Sequence, residues 1–151
     1  MKISKEKKKS MKKKIIGFWV LSLTWGLPMT LCGALVAVAL IVTGHKPRMF
    51  HHLVYFEVGR GWGGFGCGAF FVVNSGAGLP LKQHEAGHGI QNIILGVFMP
   101  FVVSIPSAIR YWYREYLVKS GKKRSSELPS YDSMWFEGWA TALGEKHFPD
   151  M

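Results

Sequence analysis

The sequence predicts an α+β fold, with an N-terminal transmembrane helix followed by a small domain that contains a β-hairpin, a histidine-bearing helix and a C-terminal helix. Residues 15–43 form a nearly continuous apolar run without charge, and two arms rich in β-branched and aromatic residues flank a cluster of glycines. A third segment, 79–96, has the start and stop signals of an α-helix. The chain has 151 residues, of which 48% are hydrophobic, so we expect one small domain with a membrane-inserted segment rather than a large soluble enzyme.

Positive charge is concentrated at the N-terminus. The formal net charge is +10, and the lysine-rich residues 1–14 directly precede the apolar run. Lysines at this position are typical of the cytoplasmic end of a membrane helix, and they also attract anionic membrane lipid. We therefore expect residues 1–14 to form a basic cytoplasmic tail and residues 15–43 a transmembrane helix, in a protein of the bacterial inner membrane. The lysines lack interleaved aromatic residues, so nucleic acid is not an expected partner.

The sequence Trp25-Gly26-Leu27-Pro28 interrupts the apolar run and is expected to kink the helix. The same break could instead turn the chain back as a re-entrant hairpin. The two alternatives differ in the location of the rest of the chain, which a single crossing places outside the cell and a hairpin leaves in the cytoplasm. A cleaved signal peptide would have a shorter apolar region, of about 7–15 residues.

The β-sheet signal lies between the apolar run and the histidine-bearing helix. Apolar residues alternate in the first arm, 53–58, and recur in the second arm, 69–73, on either side of a glycine-rich turn at 59–68. Two such arms predict a β-hairpin. The glycines are not followed by the residues of a phosphate-binding loop, so nucleotide binding is not expected. Cys67 in the turn and Cys32 in the membrane helix are too differently placed to pair.

The motif His84-Glu85-Ala86-Gly87-His88 is the strongest functional signal in the chain. Two histidines four residues apart on a helix point the same way and can bind one Zn²⁺. The intervening Glu85 can then accept a proton from a metal-activated water. Pro80 and Gly96 mark the start and the end of a helix of about four turns, which carries the motif in its first half.

Two features of this helix indicate support for the histidines. Gly87 and Gly89 each lower helix propensity by about 1 kcal/mol relative to alanine, which indicates that another part of the backbone approaches the helix there. Gln91 lies on the same stripe as the two histidines. We expect Gln91 to orient them through a hydrogen bond.

A catalytic zinc site needs a third protein ligand and an open position for water. The acidic residues near the C-terminus are Asp132, Glu137 and Glu145. We prefer Glu137, because aromatic and small residues surround it and a buried carboxylate is costly unless it is paired or bound to a metal. Asp132 or Ser133 can cap the helix that carries Glu137, and Gly144 can end it.

These two segments resemble the gluzincin class of zinc metallopeptidases, in which HExxH is followed by a glutamate on a later helix. The resemblance implies that His84, His88 and Glu137 bind zinc and that Glu85 is the general base. Many gluzincins carry an aspartate four residues after the third ligand to orient a histidine, and Thr141 stands at that place here. More loosely, the chain resembles small bacterial membrane proteins with a HExGHxxQ signature and no assigned activity.

The expected function is that of a membrane-anchored zinc-dependent peptidase, which hydrolyses a peptide or protein substrate by a metal-activated water. Tyr131 and His147 lie near Glu137 in sequence and are candidates to stabilise the oxyanion of that reaction. The alternative is a catalytically silent membrane scaffold or binding protein without metal, or with a closed structural metal site that His147 or Cys67 completes.

After the histidine-bearing helix the chain stays apolar to residue 109 and then becomes aromatic and basic. Pro100 and Pro106 interrupt this stretch, which is too short for a regular spanning helix. We expect residues 97–113 to form a membrane-associated segment of the small zinc-peptidase-like domain, residues 44–151, with aromatic and arginine side chains at headgroup level. A second crossing by residues 90–109 is the alternative.

Overall fold

The computed structural model describes residues 5–149 and has the mixed α+β architecture that the sequence predicts. Its helices are α1 (Lys5–Leu23), α2 (Leu27–Val42), α3 (Leu79–Leu95), α4 (Ile105–Lys119) and α5 (Trp135–His147). Its strands are β1 (Arg48–Phe50), β2 (Leu53–Glu57), β3 (Gly64–Cys67) and β4 (Phe70–Val73). The first four residues of the predicted basic tail lie outside the described part, and the rest of that tail is helical and continuous with the apolar part of α1.

The four strands form one sheet in the order β1-β2-β4-β3. The two arms predicted to pair as a hairpin, 53–58 and 69–73, are instead parallel neighbours, with Val54 opposite Phe70. The glycine-rich segment contains a strand of its own, β3, which pairs antiparallel with β4. The chain turns between these two strands at Gly68, which adopts φ +65°. The sequence therefore identified the two arms as strands but paired them wrongly.

The sheet is covered on both faces. Successive residues of a strand point to opposite faces, and Leu53 of β2 packs with Phe18 of α1 in the main core, next to α3. Phe56 of the same strand points the other way and packs with Ala37 of α2. Helix α2 therefore covers one face of the sheet, and α1 and α3 cover the other.

Helices α1 and α2 meet at a bend of 92°. Asn92 of α3 holds this corner, because its Nδ2 donates hydrogen bonds to Gly26 O at 3.1 Å and to Thr30 Oγ1 at 3.3 Å. A Cβ atom at Gly26 would lie 2.4 Å from that nitrogen, so the contact requires glycine. The prediction of one kinked helix over residues 15–43 is therefore wrong, because a tertiary contact turns the kink into a corner.

Within residues 5–149, no single helix combines the length and the apolar composition needed to cross a membrane. Two bent pairs meet both criteria together, namely α1 with α2, and Leu79–Phe98 with Pro100–Lys119 at an angle of 115°. The exposed faces of α2 and of the part of α1 that follows Lys14 are apolar. Their exposed side chains include Ile16, Val20, Leu21, Leu23, Leu27, Leu31, Leu35, Val38, Ile41 and Val42.

The segment predicted at 97–113 is helical through both of its prolines. A 3₁₀ turn, Gly96–Phe98, and a π-helical turn, Pro100–Ser104, lead directly into α4. Each proline lies in the first or second position of the element that contains it. The exposed apolar side chains of this segment include Phe98, Phe101, Ile105, Ile109 and Trp112.

Helix α3 has the bounds that the sequence predicts. Pro80 lies in its first turn, and the helix ends before Gly96, which adopts φ +56°. The close approach predicted beside the second histidine also occurs, since a Cβ atom at Gly87 would lie 1.9 Å from Ala140 O of α5. The motif helix and the C-terminal helix therefore pack with their backbones in contact.

Helix α5 differs from its predicted bounds at both ends. Asp132 and Ser133 belong to a separate 3₁₀ turn, Tyr131–Ser133, and no side chain caps α5. Gly144 does not end the helix, because it lies within it and faces α3, where a Cβ atom would come 2.0 Å from Gln83 O. The glycine serves helix packing rather than helix termination.

Candidate metal centre

Three potential metal ligands meet where α3 packs on α5. His84 and His88 lie one turn apart on α3, and Glu137 lies in the first turn of α5. The Nε2 atoms of both histidines are 3.3 Å from Glu137 Oε2. The three ligand atoms lie within 4.8 Å of one another in a largely buried group that could hold a metal ion. The structure thus brings together the three ligands that the sequence proposes.

Hydrogen bonds fix the ring of His84. Its Nδ1 lies 2.8 Å from Thr141 Oγ1, and that hydroxyl donates to Asp132 Oδ2 at 3.1 Å. A hydroxyl has one hydrogen, so an oxygen that donates to the carboxylate must accept from the ring. His84 Nδ1 therefore carries the proton, and the lone pair of Nε2 faces Glu137. Asp132 supplies, through Thr141, the carboxylate that the gluzincin pattern places on α5 itself.

His88 is fixed from within its own helix. Its Nδ1 lies 2.7 Å from Gln91 Oε1, and Gln91 Nε2 donates to Phe136 O at 2.7 Å. Because a backbone carbonyl only accepts, this bond orients the Gln91 amide with its oxygen toward the ring. His88 Nδ1 therefore also carries a proton, and in the neutral ring the lone pair of Nε2 faces Glu137.

With both imidazole rings neutral and protonated at Nδ1, the centre presents three hydrogen-bond acceptors. Burial raises the pKa of the Glu137 carboxyl, and the hydrogen bond that Ser107 donates to its Oε1 lowers it. Glu137 Oε2 is buried and has no hydrogen-bond partner within the described part of the chain. Converging buried acceptors are costly unless a cation lies between them. Two imidazoles and a carboxylate are a donor set that fits a divalent metal.

Glu85 lies beside the centre and is not part of the ligand group. Its relative exposure is 4%, and its Oε2 has no hydrogen-bond partner among residues 5–149. Burial raises the pKa of Glu85 above the usual glutamate value, which suits a group that accepts and releases a proton near neutral pH. A Cβ atom at Gly64 would lie 2.8 Å from Glu85 Oε1, so β3 approaches this carboxylate through a glycine.

Tyr131 lies at the centre, and Ser107 adds a contact that the sequence did not reveal. Ser107 Oγ donates a hydrogen bond to Glu137 Oε1 and lies 3.3 Å from the Tyr131 hydroxyl. Burial raises the pKa of Tyr131, so its hydroxyl stays protonated and can donate. The sequence signal for Ser107 is weak, because it is one of two serines, with Ser104, in a largely apolar run and belongs to no ligand-spacing motif.

The other proposed participants lie outside the ligand group. His147 is exposed and follows Glu137 by ten residues on α5, about 15 Å along the helix axis. It therefore cannot stabilise an oxyanion at this centre, and that prediction is wrong. Cys67 lines the adjoining cavity and does not belong to the ligand group, and burial raises the pKa of its thiol to about 11. Neither residue closes the site with a fourth ligand.

Two neighbouring cavities, with volumes of about 470 Å³ and about 360 Å³, adjoin the centre. They share a wall that includes His84, Glu85 and Tyr131. The larger one is here named the apolar lobe, and beside the metal centre it is lined by Met29, Phe65, Cys67, Met99, Val103 and Trp112. The smaller one is named the charged lobe, and its wall includes Arg114, Glu115 and Asp132.

Comparisons of the chain with protein-family models, with curated proteins and with solved structures give no match. The resemblance to gluzincins therefore rests on the motif residues. The function proposed below rests on the geometry and the hydrogen bonds of the centre.

Proposed function

We propose that the protein is a membrane-attached, zinc-dependent peptidase in which His84, His88 and Glu137 bind the metal. One observation carries the proposal, namely that two imidazole Nε2 atoms and a buried carboxylate oxygen converge within 4.8 Å of one another. Nitrogen ligands favour Zn²⁺ over Mg²⁺ and Ca²⁺, which take oxygen ligands. Three protein ligands also leave one tetrahedral position open, as catalytic zinc sites do.

The side chains around the ligands supply the proton transfers that hydrolysis needs. Zinc, when bound, polarises the scissile carbonyl and lowers the pKa of water at the site. Glu85 accepts the proton of the attacking water and returns it to the leaving amine. The Tyr131 hydroxyl, whose hydrogen is directed to Ser107 in the free protein, turns that hydrogen to the oxyanion when substrate is bound.

Strand β3 offers an edge to which an extended peptide can bind. It is an outer strand of the sheet and packs beside α3. Asn74 N donates to Gly63 O, and antiparallel ladders alternate, so the backbone polar groups of Gly64 and Gly66 point away from β4. A peptide added at this edge as a further strand would run along the motif helix.

We further propose that α1 and α2 attach the protein to the membrane, with the lysine-rich N-terminus on the cytoplasmic side. Their apolar outer faces and the bend of 92° support the re-entrant alternative, in which both ends of the pair lie on one side. Single cysteines near Lys5 and near His51, introduced after Cys32 and Cys67 are replaced by serine, should react with a membrane-impermeant reagent from the same side. Reaction from opposite sides would establish a single crossing instead.

The peptidase proposal is tested by separating metal binding from catalysis. Glu85→Gln should retain zinc but lower hydrolysis by about 10²-fold or more, because the general base is lost. His88→Ala should lose the metal itself. Glu145→Gln and His147→Ala are the matched controls, since both residues are exposed on α5 and lie outside the ligand group. Zinc is measured in the purified protein, and cleavage is followed in a peptide mixture by mass spectrometry of new termini.

Two results would overturn the proposal. Cleavage by Glu85→Gln at the parental rate would show that Glu85 is not the base. A parent protein that binds no zinc at neutral pH would leave the centre without its metal. Zinc bound by four protein ligands, without cleavage, would favour the silent scaffold.

A further inference from the structure

The two lobes differ in chemistry on either side of the catalytic residues. Among residues 5–149, the side chains that line the apolar lobe carry no charge outside the metal centre and Glu85. The wall of the charged lobe includes Arg114, Glu115 and Asp132. Since His84 and Glu85 line both lobes, a ligand that passes the metal extends from one environment into the other.

Strand β3 runs from the charged lobe toward the apolar lobe. Gly63, just before the strand, lines only the charged lobe, whereas Gly66 and Cys67 line only the apolar lobe. Antiparallel pairing is slightly more stable per residue than parallel pairing. A peptide that pairs antiparallel with β3 therefore has its N-terminal half in the apolar lobe and its C-terminal half in the charged lobe.

We propose that the substrate is a peptide in which an apolar segment is followed by a polar segment, with the cleaved bond at the boundary between them. This inference rests on the proposed peptidase function and adds the substrate class. The pattern is that of a membrane-inserted segment followed, toward its C-terminus, by an aqueous flank.

The outer surface of the apolar lobe fits a substrate that comes from a lipid phase. Trp112 and Phe65 line the lobe and are nevertheless 66% and 41% exposed. The helical segment that supplies Met99 to the lobe also exposes Phe101 at 69% and leads into α4, where Ile109 is 64% exposed. Apolar surface is therefore present both inside the lobe and on the elements that form its wall.

The order of the two halves is tested by binding, independently of cleavage. The Glu85→Gln protein is titrated in detergent against two fluorescently labelled peptides of identical composition. One has an apolar N-terminal half and a polar C-terminal half, and the other has the reversed sequence. The first peptide should bind about tenfold more tightly or better, because its apolar side chains leave water while its polar half remains solvated.

A substitution in the wall localises the effect. Ala108 lines the apolar lobe and is exposed, so Ala108→Glu is compatible with folding and places a charge in that lobe. It should reduce binding of the first peptide by about tenfold. Tyr113→Glu is the matched control, since Tyr113 is 60% exposed on the same helix and lines neither lobe.

The outcomes separate this inference from the peptidase proposal. Equal affinities, a preference for the reversed peptide, or no binding of either would overturn the substrate class, even if the parent cleaves other peptides. Preferential binding of the first peptide by Glu85→Gln, without its cleavage by the zinc-loaded parent, would uphold the ligand class and overturn the peptidase proposal. An equal loss in Ala108→Glu and Tyr113→Glu would show that the peptide does not occupy the apolar lobe.

Discussion

The two histidines of the centre are oriented in different ways. His88 contacts Gln91, three residues further along the same helix and fully buried. His84 contacts Thr141 on another helix and, through it, Asp132, whose side chain is 49% exposed. The contact of His88 therefore joins two residues of α3, with Phe136 O of α5 orienting the Gln91 amide, whereas the contact of His84 joins α3 directly to α5.

The difference shows which part of the centre depends on tertiary structure. The direct contact between His88 and Gln91 can persist as long as α3 forms, although the Gln91 amide loses its hydrogen bond to Phe136 O if α5 moves away. A ligand oriented across a helix pair, like the third ligand Glu137, loses its geometry when the pair separates. Variants that separate α3 from α5 should therefore lower zinc affinity the most. Variants at the exposed end of the His84 contact should lower it the least.

Separation of the two helices is predicted for Gly144→Ala. The added Cβ atom would lie 2.0 Å from Gln83 O, so α5 must shift away from α3. We expect a loss of about 1–3 kcal/mol in the free energy of unfolding together with loss of zinc binding. Gly17→Ala in α1 is the control, because a Cβ atom there meets nothing within 4 Å. Thermal unfolding and zinc titration measure both effects, and unchanged zinc affinity in Gly144→Ala would contradict the account.

The contact of His88 is removed by Gln91→Leu. We expect zinc affinity to fall by about 10–100-fold, the usual effect of losing a group that orients a metal ligand. Gln83→Leu is a matched control, since Gln83 is on the same helix and its Nε2 also donates to a backbone carbonyl, Phe148 O, at 2.8 Å. Both variants should lose stability, but only Gln91→Leu should lose zinc in a chelator competition. A parallel loss in both would assign the effect to general destabilisation.

The contact of His84 is removed by Thr141→Val, which keeps the shape of the side chain. We expect zinc affinity to fall by about tenfold, at the lower end of the range for such groups, because Thr141 is only half-buried and water can replace its hydroxyl. Thr141→Ser keeps the hydroxyl and should behave like the parent. If Thr141→Ser binds zinc as weakly as Thr141→Val, the hydroxyl does not orient His84.

The smallest effect is expected for Asp132→Asn. The amide oxygen can still accept from Thr141, and the position is exposed, so zinc affinity should change by less than about tenfold. The same chelator competition measures it. A loss of zinc affinity as large as that of Gln91→Leu would contradict the comparison between the two histidines, because the contact of His84 would then contribute as much to zinc binding as the contact of His88.

The sequence predicted those parts of the molecule whose signals are local. Helix α3 was predicted correctly from Pro80 and Gly96, and the spacing of His84 and His88 followed from that helix. Burial of Glu137 was inferred from its neighbours along α5, and the side chain is fully buried. Each of these inferences needed only the helical repeat and the residues within a few turns.

The parts that were missed depend on contacts between distant segments. The corner between α1 and α2 requires Asn92, and the pairing of β2 with β4 requires a strand inside the glycine-rich segment. Ser107 and the Asp132 contact reach the centre from α4 and from a 3₁₀ turn. No local pattern reports such contacts, because they are set by how the elements pack.

The central claim is that Glu137 completes a zinc site with the two histidines, and it is tested most directly by the zinc content and affinity of Glu137→Gln. The parent and the control Glu145→Gln should each bind about one zinc per chain at neutral pH. Glu137→Gln keeps the shape of the side chain but loses the anionic ligand, so its zinc affinity should fall by more than about 10²-fold. Zinc binding by Glu137→Gln at the parental affinity would contradict the account.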